Sequence, residues 1–192
     1  MSTKIGSLEK IIKSVDPDII ALCETKKGGR LKEDELQNYS IIDCPTMQGK
    51  EGILIGVRKK SFVSMREITD TELKNILTVR IEYAKMNLRV VVAHAPQETD
   101  KNEDRVEFFE ELMVQVERGE ASGDHLLLVG DFNARLTKQD PDGKVGAESG
   151  SPNGKQLAEV IDNYGIQECN FHDNSSGRWT RLEYRNPKVK GC

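Results

Sequence analysis

The sequence is short of several things, and each shortage removes a class of function. No apolar run is long enough to cross a bilayer, which takes a helix of about 20 residues. Cysteine is sparse: Cys23, Cys44, Cys169 and Cys192 are scattered and lack the paired spacing of a zinc finger. Positive charge is not in excess, and a net charge of −4 argues against a broadly basic nucleic-acid binder. It leaves room for an enzyme that meets DNA over a small patch, because local charge matters more than the total. Trp179 is the only tryptophan, and there is no internal repeat or low-complexity linker. An amphipathic pattern follows Met1-Ser2-Thr3-Lys4 directly, so no signal peptide is expected. Reduced cysteines, with Cys23 buried in a strand, point to an intracellular location, nuclear or cytoplasmic.

What is present suits one domain of 192 residues, long enough to build a layered core. Ile5, Leu8, Ile11, Ile12 and Val15 recur at helical spacing and predict a helix over residues 5–15. Asp16-Pro17-Asp18 ends it. A strand follows and runs into Glu24. Residues 28–37 read as a polar loop. Short strands are expected near Ser40-Ile41-Ile42, Gly52 to Val57, Phe62 to Met65 and Ile76 to Ile81. A hairpin-sized link, Glu82 to Asn87, joins the last of these to the run Leu88 to Ala93. A second helix over 102–117 presents Val106, Phe109, Leu112, Met113 and Val116 on one face, and Gly119 to Gly123 is expected to break it. The run His125 to Val129 is a buried strand, and a Gly/Asp/Ser/Pro-rich loop then extends to Pro152. A third helix starts near Asn153 with Leu157, Val160, Ile161 and Tyr164 inward, and strands near 166–169 and 178–184 close the chain. Periodicity alone gives a mixed α/β class.

Three strands end in polar residues, and these ends are the informative part. Gly130-Asp131-Phe132-Asn133 follows the His125 strand, Glu24 follows the Asp18 strand, and His94 ends the Leu88 strand ahead of Pro96. In α/β proteins sites form at the carboxyl ends of strands. Two carboxylates and an amide there suit a hard metal ion and a phosphate. Each residue also has a plain structural reading: Asp and Asn form turns, and an exposed Glu at a strand end needs no explanation. The cationic groups Lys26, Lys27, Arg30, Lys32 and Arg178, Arg181, Arg185, Lys188, Lys190 are solvated faces or phosphate contacts. Asn153 could cap the third helix.

Together the strings Ile20-Ala21-Leu22-Cys23-Glu24-Thr25-Lys26, Ala93-His94-Ala95-Pro96 and Gly130-Asp131-Phe132-Asn133-Ala134 resemble the endonuclease/exonuclease/phosphatase superfamily. The nearest likeness is to the AP-endonuclease-like nuclease domains of non-LTR retrotransposons. Weaker matches are Asn153-Gly154 and Trp179-Thr180. The resemblance implies a four-layer sandwich: two packed mixed β-sheets flanked by helices. It implies a Mg²⁺-dependent phosphodiester hydrolase acting on DNA, with Mn²⁺ as an alternative ion. Glu24 and Asp131 become metal ligands. Asp131 also positions the water, Asn133 binds phosphate, and His94 takes a place where relatives usually carry tyrosine. Lys26, Asn153, Trp179, Thr180 and Arg181 become nucleic-acid contacts. His125 and His172 receive no role.

The resemblance also implies a leading strand bearing an asparagine and closing strands bearing an aspartate and then an Asp-His pair. This sequence opens on the first helix and stops at Gly191-Cys192, and its one Asp-His pair, Asp124-His125, precedes the His125 strand and is not in a closing strand. A single partial domain of impaired activity is therefore expected, a homodimer or an aggregation-prone monomer through unpaired sheet edges. Two other readings stay open: a non-catalytic relic or binding module on the same fold, and a hydrolase of inositol phosphates or phospholipid head groups.

Overall fold

The computed structural model describes residues 2–25, 36–45, 52–60, 63–83, 86–138, 145–146 and 150–167. The expected strands near 166–169 and 178–184 fall outside these residues, apart from residues 166 and 167. Those two lie in no strand, and the Ile166 amide turns back to the Ile161 carbonyl.

Helix α1 (Ser2–Val15) leads into β1 (Ile19–Leu22), β2 (Tyr39–Pro45) and β3 (Gly52–Arg58). These strands form an antiparallel sheet of order β1-β3-β2. The corner from α1 into β1 is pinned by Arg58. Its guanidinium reaches Asp16 at 2.5 Å and the Pro17 carbonyl at 2.9 Å, and lies over the Tyr39 ring. One face of the sheet, with Ile20, Leu36 and Tyr39, receives Ile12 of α1. Ile11 and Val15 share the apolar spacing of α1 but stay exposed, at 59% and 66%.

The second sheet has the order β4-β5-β6-β7, with β4 (Ser64–Glu67), β5 (Ile76–Tyr83), β6 (Met86–His94) and β7 (His125–Asp131). The β6–β7 pair is parallel and the rest antiparallel. This sheet is therefore mixed, while the first, expected to be mixed too, is antiparallel throughout its described strands. Pairing of β5 with β6 continues to Tyr83↔Met86, so the two strands take in most of the link expected at Glu82 to Asn87.

Alternation explains why β6 reads as a continuous apolar run. Val90 and Val92 face the first sheet and pack with Ile53, Ile55 and Val57 of β3 and Leu77, Val79 and Ile81 of β5. Val91 and Ala93 face the other way, onto Phe108, Phe109, Leu112 and Val116 of α2 (Asn102–Ser122) and Leu157 and Val160 of α3 (Pro152–Tyr164). The layers are thus α1, sheet, sheet, α2 with α3, the four-layer sandwich.

Helix α2 is the crossover between the parallel strands β6 and β7. It runs through Gly119 and stops only at Gly123, in the left-handed region at φ 67°. The break expected over Gly119 to Gly123 thus falls at the second glycine, while Gly119 lies inside the helix, buried with Arg89 Cδ 3.0 Å from where an added Cβ would sit. The α2 face is also more polar than the apolar spacing suggests. Arg105 and Gln115 are buried, and Gln115 accepts from the Thr78 hydroxyl at 3.0 Å. The loop after Asn133 contains one feature the sequence did not announce, a short antiparallel pair β8 (Thr137–Lys138) and β9 (Val145–Gly146).

Candidate active site

Parallel pairing of β6 with β7 sets His94 directly opposite Asp131 at the carboxyl edge of the second sheet. Two backbone bonds lock this edge. His94 N–H donates to the Asn75 carbonyl at 2.9 Å, and Ala95 N–H donates to the Asp131 carbonyl at 2.8 Å. The strands can approach here only because residue 130 is glycine. Gly130 has φ 149°, and a Cβ on it would run into the Ala93 carbonyl.

Beyond Asp131 the chain turns sharply. Asp131 Oδ1 accepts the Asn133 backbone N–H at 3.0 Å, the short-range bond by which an aspartate makes a turn. Asn133 itself sits at φ 44°, and its side-chain amide donates to the Ala95 carbonyl at 2.7 Å. The turn-forming and site readings of Asp131 and Asn133 are therefore compatible, since the turn is what carries both groups to the mouth.

Glu24 arrives from the other sheet. It follows β1 at φ 53°, and its Oε1 lies 3.9 Å from His94 Nε2, close enough to pair when the imidazole is protonated. Next to it Cys23 Sγ lies 3.5 Å from the Ala93 carbonyl. Burial pushes the Cys23 thiol up from the ordinary cysteine range. A hydrogen bond with the Asp131 backbone opposes this, and the negative charges of Asp131 and Glu24 add to it. Both carboxylates thus act on one thiol, from opposite sheets. Cys23 is free but only partly buried, less so than expected.

The structure brings together Glu24, His94, Asp131 and Asn133 of the expected site residues. His94 is largely buried, and the Glu24 side chain is 48% exposed. Asp131 is exposed. Asn153 is elsewhere in character: it is 0% exposed, whereas a nucleic-acid contact needs a surface. Nor is it the helix cap, which is Ser151, whose hydroxyl accepts the Gly154 N–H. Lys26, Trp179, Thr180 and Arg181 lie outside the described residues.

Sequence reading missed Ser151, which also accepts the Arg135 N–H at 3.0 Å. The signal was there in Ser151-Pro152, a cap residue followed by a first-turn proline. It also missed Arg105, which holds the loop after His94 through the Glu98 carbonyl at 2.8 Å. A buried arginine inside a helix leaves no pattern in sequence.

Among the described residues no three His, Cys, Asp or Glu side chains form a metal-ligand cluster. Glu24 and Asp131 each stand beside His94, one by its side chain and one by strand register, and offer two carboxylates at exposed positions. This fits a hard cation that keeps most of its water, as magnesium does. It does not fit zinc, which takes three or four protein ligands, commonly histidine and cysteine.

The sequence matches the profile of the Endonuclease/Exonuclease/phosphatase family over residues 1–188. No curated protein sequence matches the chain. Solved structures share the fold at low identity. The AP endonuclease LMAP from Leishmania major is 14% identical with a TM-score of 0.60, over 85% of this chain and 62% of that one. The endonuclease domain of TRAS1, a telomere-specific non-LTR retrotransposon, is 16% identical with a TM-score of 0.54, over 84% and 64%. Truncated TDP2 from Caenorhabditis elegans is 22% identical with a TM-score of 0.54, over 69% and 56%. The chain therefore spans less than two thirds of the length of each of these structures.

Proposed function

Because the chain belongs to the endonuclease/exonuclease/phosphatase family, we propose that it is a Mg²⁺-dependent phosphodiester hydrolase of retroelement origin that acts on DNA. The family is one of metal-dependent phosphodiesterases and nucleases, generally using divalent ions. The observation that carries the reading is the meeting of Glu24 from one sheet with His94 and Asp131 from the other, beside an Asn133 held by two hydrogen bonds. The retroelement origin rests on the strings around Glu24, His94 and Asp131.

Glu24 and Asp131 would hold the ion, and Mn²⁺ could replace Mg²⁺ on the same oxygens. When bound it supplies charge relief at the phosphate and a more acidic water. The protein groups do the remainder. Asp131 orients the attacking water with the carboxylate oxygen not engaged by Asn133. The second N–H of the Asn133 amide, the first being held by Ala95, meets a phosphate oxygen. His94 Nε2 donates to another. Asp131 and Asn133 are preset by side-chain bonds to the backbone, so little ordering of these two is needed when substrate binds. Lys26, Trp179, Thr180 and Arg181 are assigned to the flanking DNA.

The one Asp-His pair, Asp124-His125, stands at the start of β7, at the far end of that strand from Asp131, and so gives the site no general base; lacking one lowers rates by about 10²- to 10⁴-fold. We therefore assign this chain a weak activity. The same observation favours one second reading, a binding module on the nuclease fold. Supercoiled plasmid incubated with Mg²⁺ separates them. Slow nicking by the parent, lost in both Glu24→Ala and Asp131→Ala, supports hydrolysis. No nicking, or equal nicking by all three, supports the binding module.

A further inference from the structure

The first turn of α3, Ser151-Pro152-Asn153-Gly154, touches the loops on both sides of the site without reaching the mouth. Asn153 is its centre. The side-chain amide nitrogen donates to the Pro96 carbonyl at 2.9 Å, and lies 3.3 Å from each of the Phe132 and Asn133 carbonyls. Pro96 belongs to the loop that leaves His94, and Phe132 and Asn133 to the loop that leaves Asp131. One amide group thus ties together the two loops that carry the proposed phosphate and water contacts.

Three further observations separate this from ordinary packing. Asn153 is 0% exposed, in a helix face shared with Leu157 and Ala158 where an apolar residue would be the default. Its Oδ1 is buried with no hydrogen-bond partner among the described residues. A buried orphan acceptor lowers stability, so the residue is not explained by stability alone. The helix does not need it as a cap either, since Ser151 fills that place.

The neighbours on the same turn are shaped to the same loop. Ser151 Oγ takes the Arg135 N–H at 3.0 Å. The Arg135 carbonyl occupies the space a side chain at residue 154 would need, which only a glycine leaves open.

We infer that Asn153 is a positioning residue that sets the spacing between the His94 loop and the Asp131–Asn133 loop, and through it the geometry of the proposed ion and phosphate site. The metal arm of this inference rests on the hydrolase reading above, and the clamp itself does not. Removing a residue that orients a metal site from behind typically costs about 10- to 100-fold in ion affinity.

The test compares the full chain with Asn153→Ala and with Leu157→Ala, which weakens α3 packing one turn later but removes none of the three carbonyl contacts of Asn153. Two measurements are made on each: Mn²⁺ affinity by calorimetric titration, and hydrogen exchange at the Ala95 and Asn133 amides, which bond to the Asp131 carbonyl and Oδ1. Asn153→Ala is expected to weaken Mn²⁺ binding about 10- to 100-fold and to speed exchange at both amides relative to the rest of β6 and β7. Leu157→Ala, although less stable, is expected to keep the parent affinity and the parent exchange pattern at these two amides. Unchanged exchange at both amides in Asn153→Ala overturns the inference, as does an equal loss in Leu157→Ala. If the parent itself takes up no Mn²⁺, the hydrolase reading fails, and the exchange comparison still decides the clamp.

Discussion

Glu24 occupies the left-handed backbone region at φ 53°, and that single angle makes an unusual prediction about stability. For an L-residue with a side chain this conformation costs roughly 1–2 kcal/mol. Glycine escapes the cost but adds freedom to the unfolded chain, which takes back roughly 0.5–1 kcal/mol. Alanine keeps the strain. Glu24→Gly should therefore be more stable than Glu24→Ala by about 0.75 kcal/mol, the middle of a range of roughly 0–1.5 kcal/mol. For a chain of this size that is a melting temperature higher by about 1–4 °C. Both variants lose the carboxylate, so both should lose ion binding alike. Asn133, at φ 44°, provides the contrast. Asparagine tolerates this region, and its amide bond to the Ala95 carbonyl at 2.7 Å contributes about 0.5–1.5 kcal/mol. Asn133→Gly should therefore be less stable than the parent. Urea unfolding at fixed pH reads all of these. The reasoning is refuted if Glu24→Gly melts at or below Glu24→Ala, for then no strain is stored at the proposed ligand. A positive outcome would mark Glu24 as a position where stability is given up for the site.

Gly130→Ala should be the most damaging small change in the molecule, because the Ala93 backbone already fills the space of the new Cβ and φ is 149°. A loss above about 3 kcal/mol is expected, and a variant with the parent's urea midpoint would contradict the strand spacing described here. Asp124, at the other end of β7, is 2% exposed and pairs with Arg80 at 2.7 Å. Burial pushes its carboxyl up, but the bonds from Arg80 and Ser122 outweigh this and hold it below the ordinary carboxylate range. A depressed carboxyl stabilises the fold above its unfolded value, near 3.8, and that contribution is lost as pH falls through the folded value. Asp124→Asn should thus be about 1.5–3 kcal/mol less stable than the parent at neutral pH, and the two should converge in acid. A constant gap from pH 7 to pH 2.5 would refute the assignment.

The parts of the fold set by local pattern were readable from the residues. Strands β3, β5, β6 and β7 announce themselves as apolar runs, and helix α3 by the spacing of Leu157, Val160 and Ile161. What was misread depends on contacts between distant segments. Gly119 looks like a helix breaker, yet it lies inside α2 because Arg89 needs the space its missing side chain leaves. Arg105 and Gln115 look solvent-facing by type but are buried on partners that sequence spacing does not reveal. At the site, the strand ends could be named because a polar residue after an apolar run is visible. The convergence of Glu24 on His94 could not be derived from spacing, since it depends on how two sheets stack. Asn153 shows the same limit. Its type and the resemblance suggest a cap, a surface contact or a residue that holds a loop onto the site, and only the folded chain shows the three carbonyls around it.

The two halves of the proposed ion site are held by different forces. His94 and Asp131 end paired strands of one sheet and Asn133 follows in the turn, and directional bonds at 2.7 to 3.0 Å hold their backbone and the Asp131 and Asn133 side chains. Glu24 follows a strand of the other sheet, which is held against this one by the apolar layer of Ile53, Ile55, Val90 and Val92 and by the Cys23 to Ala93 contact. Apolar packing resists gaps but has little directional preference, so this is the looser of the two halves. A cation held by Glu24 and Asp131 would add a link between the sheets beside the Cys23 to Ala93 contact. Binding to the folded state alone stabilises by mass action, about 2.7 kcal/mol when free ion is a hundred times its dissociation constant. Mn²⁺ or Mg²⁺ should therefore raise the melting temperature of the parent, and chelation should reverse it. Glu24→Ala should remove most of the rise, because only one sheet would then supply a carboxylate. An equal rise in parent and Glu24→Ala would place the ion somewhere other than between the sheets.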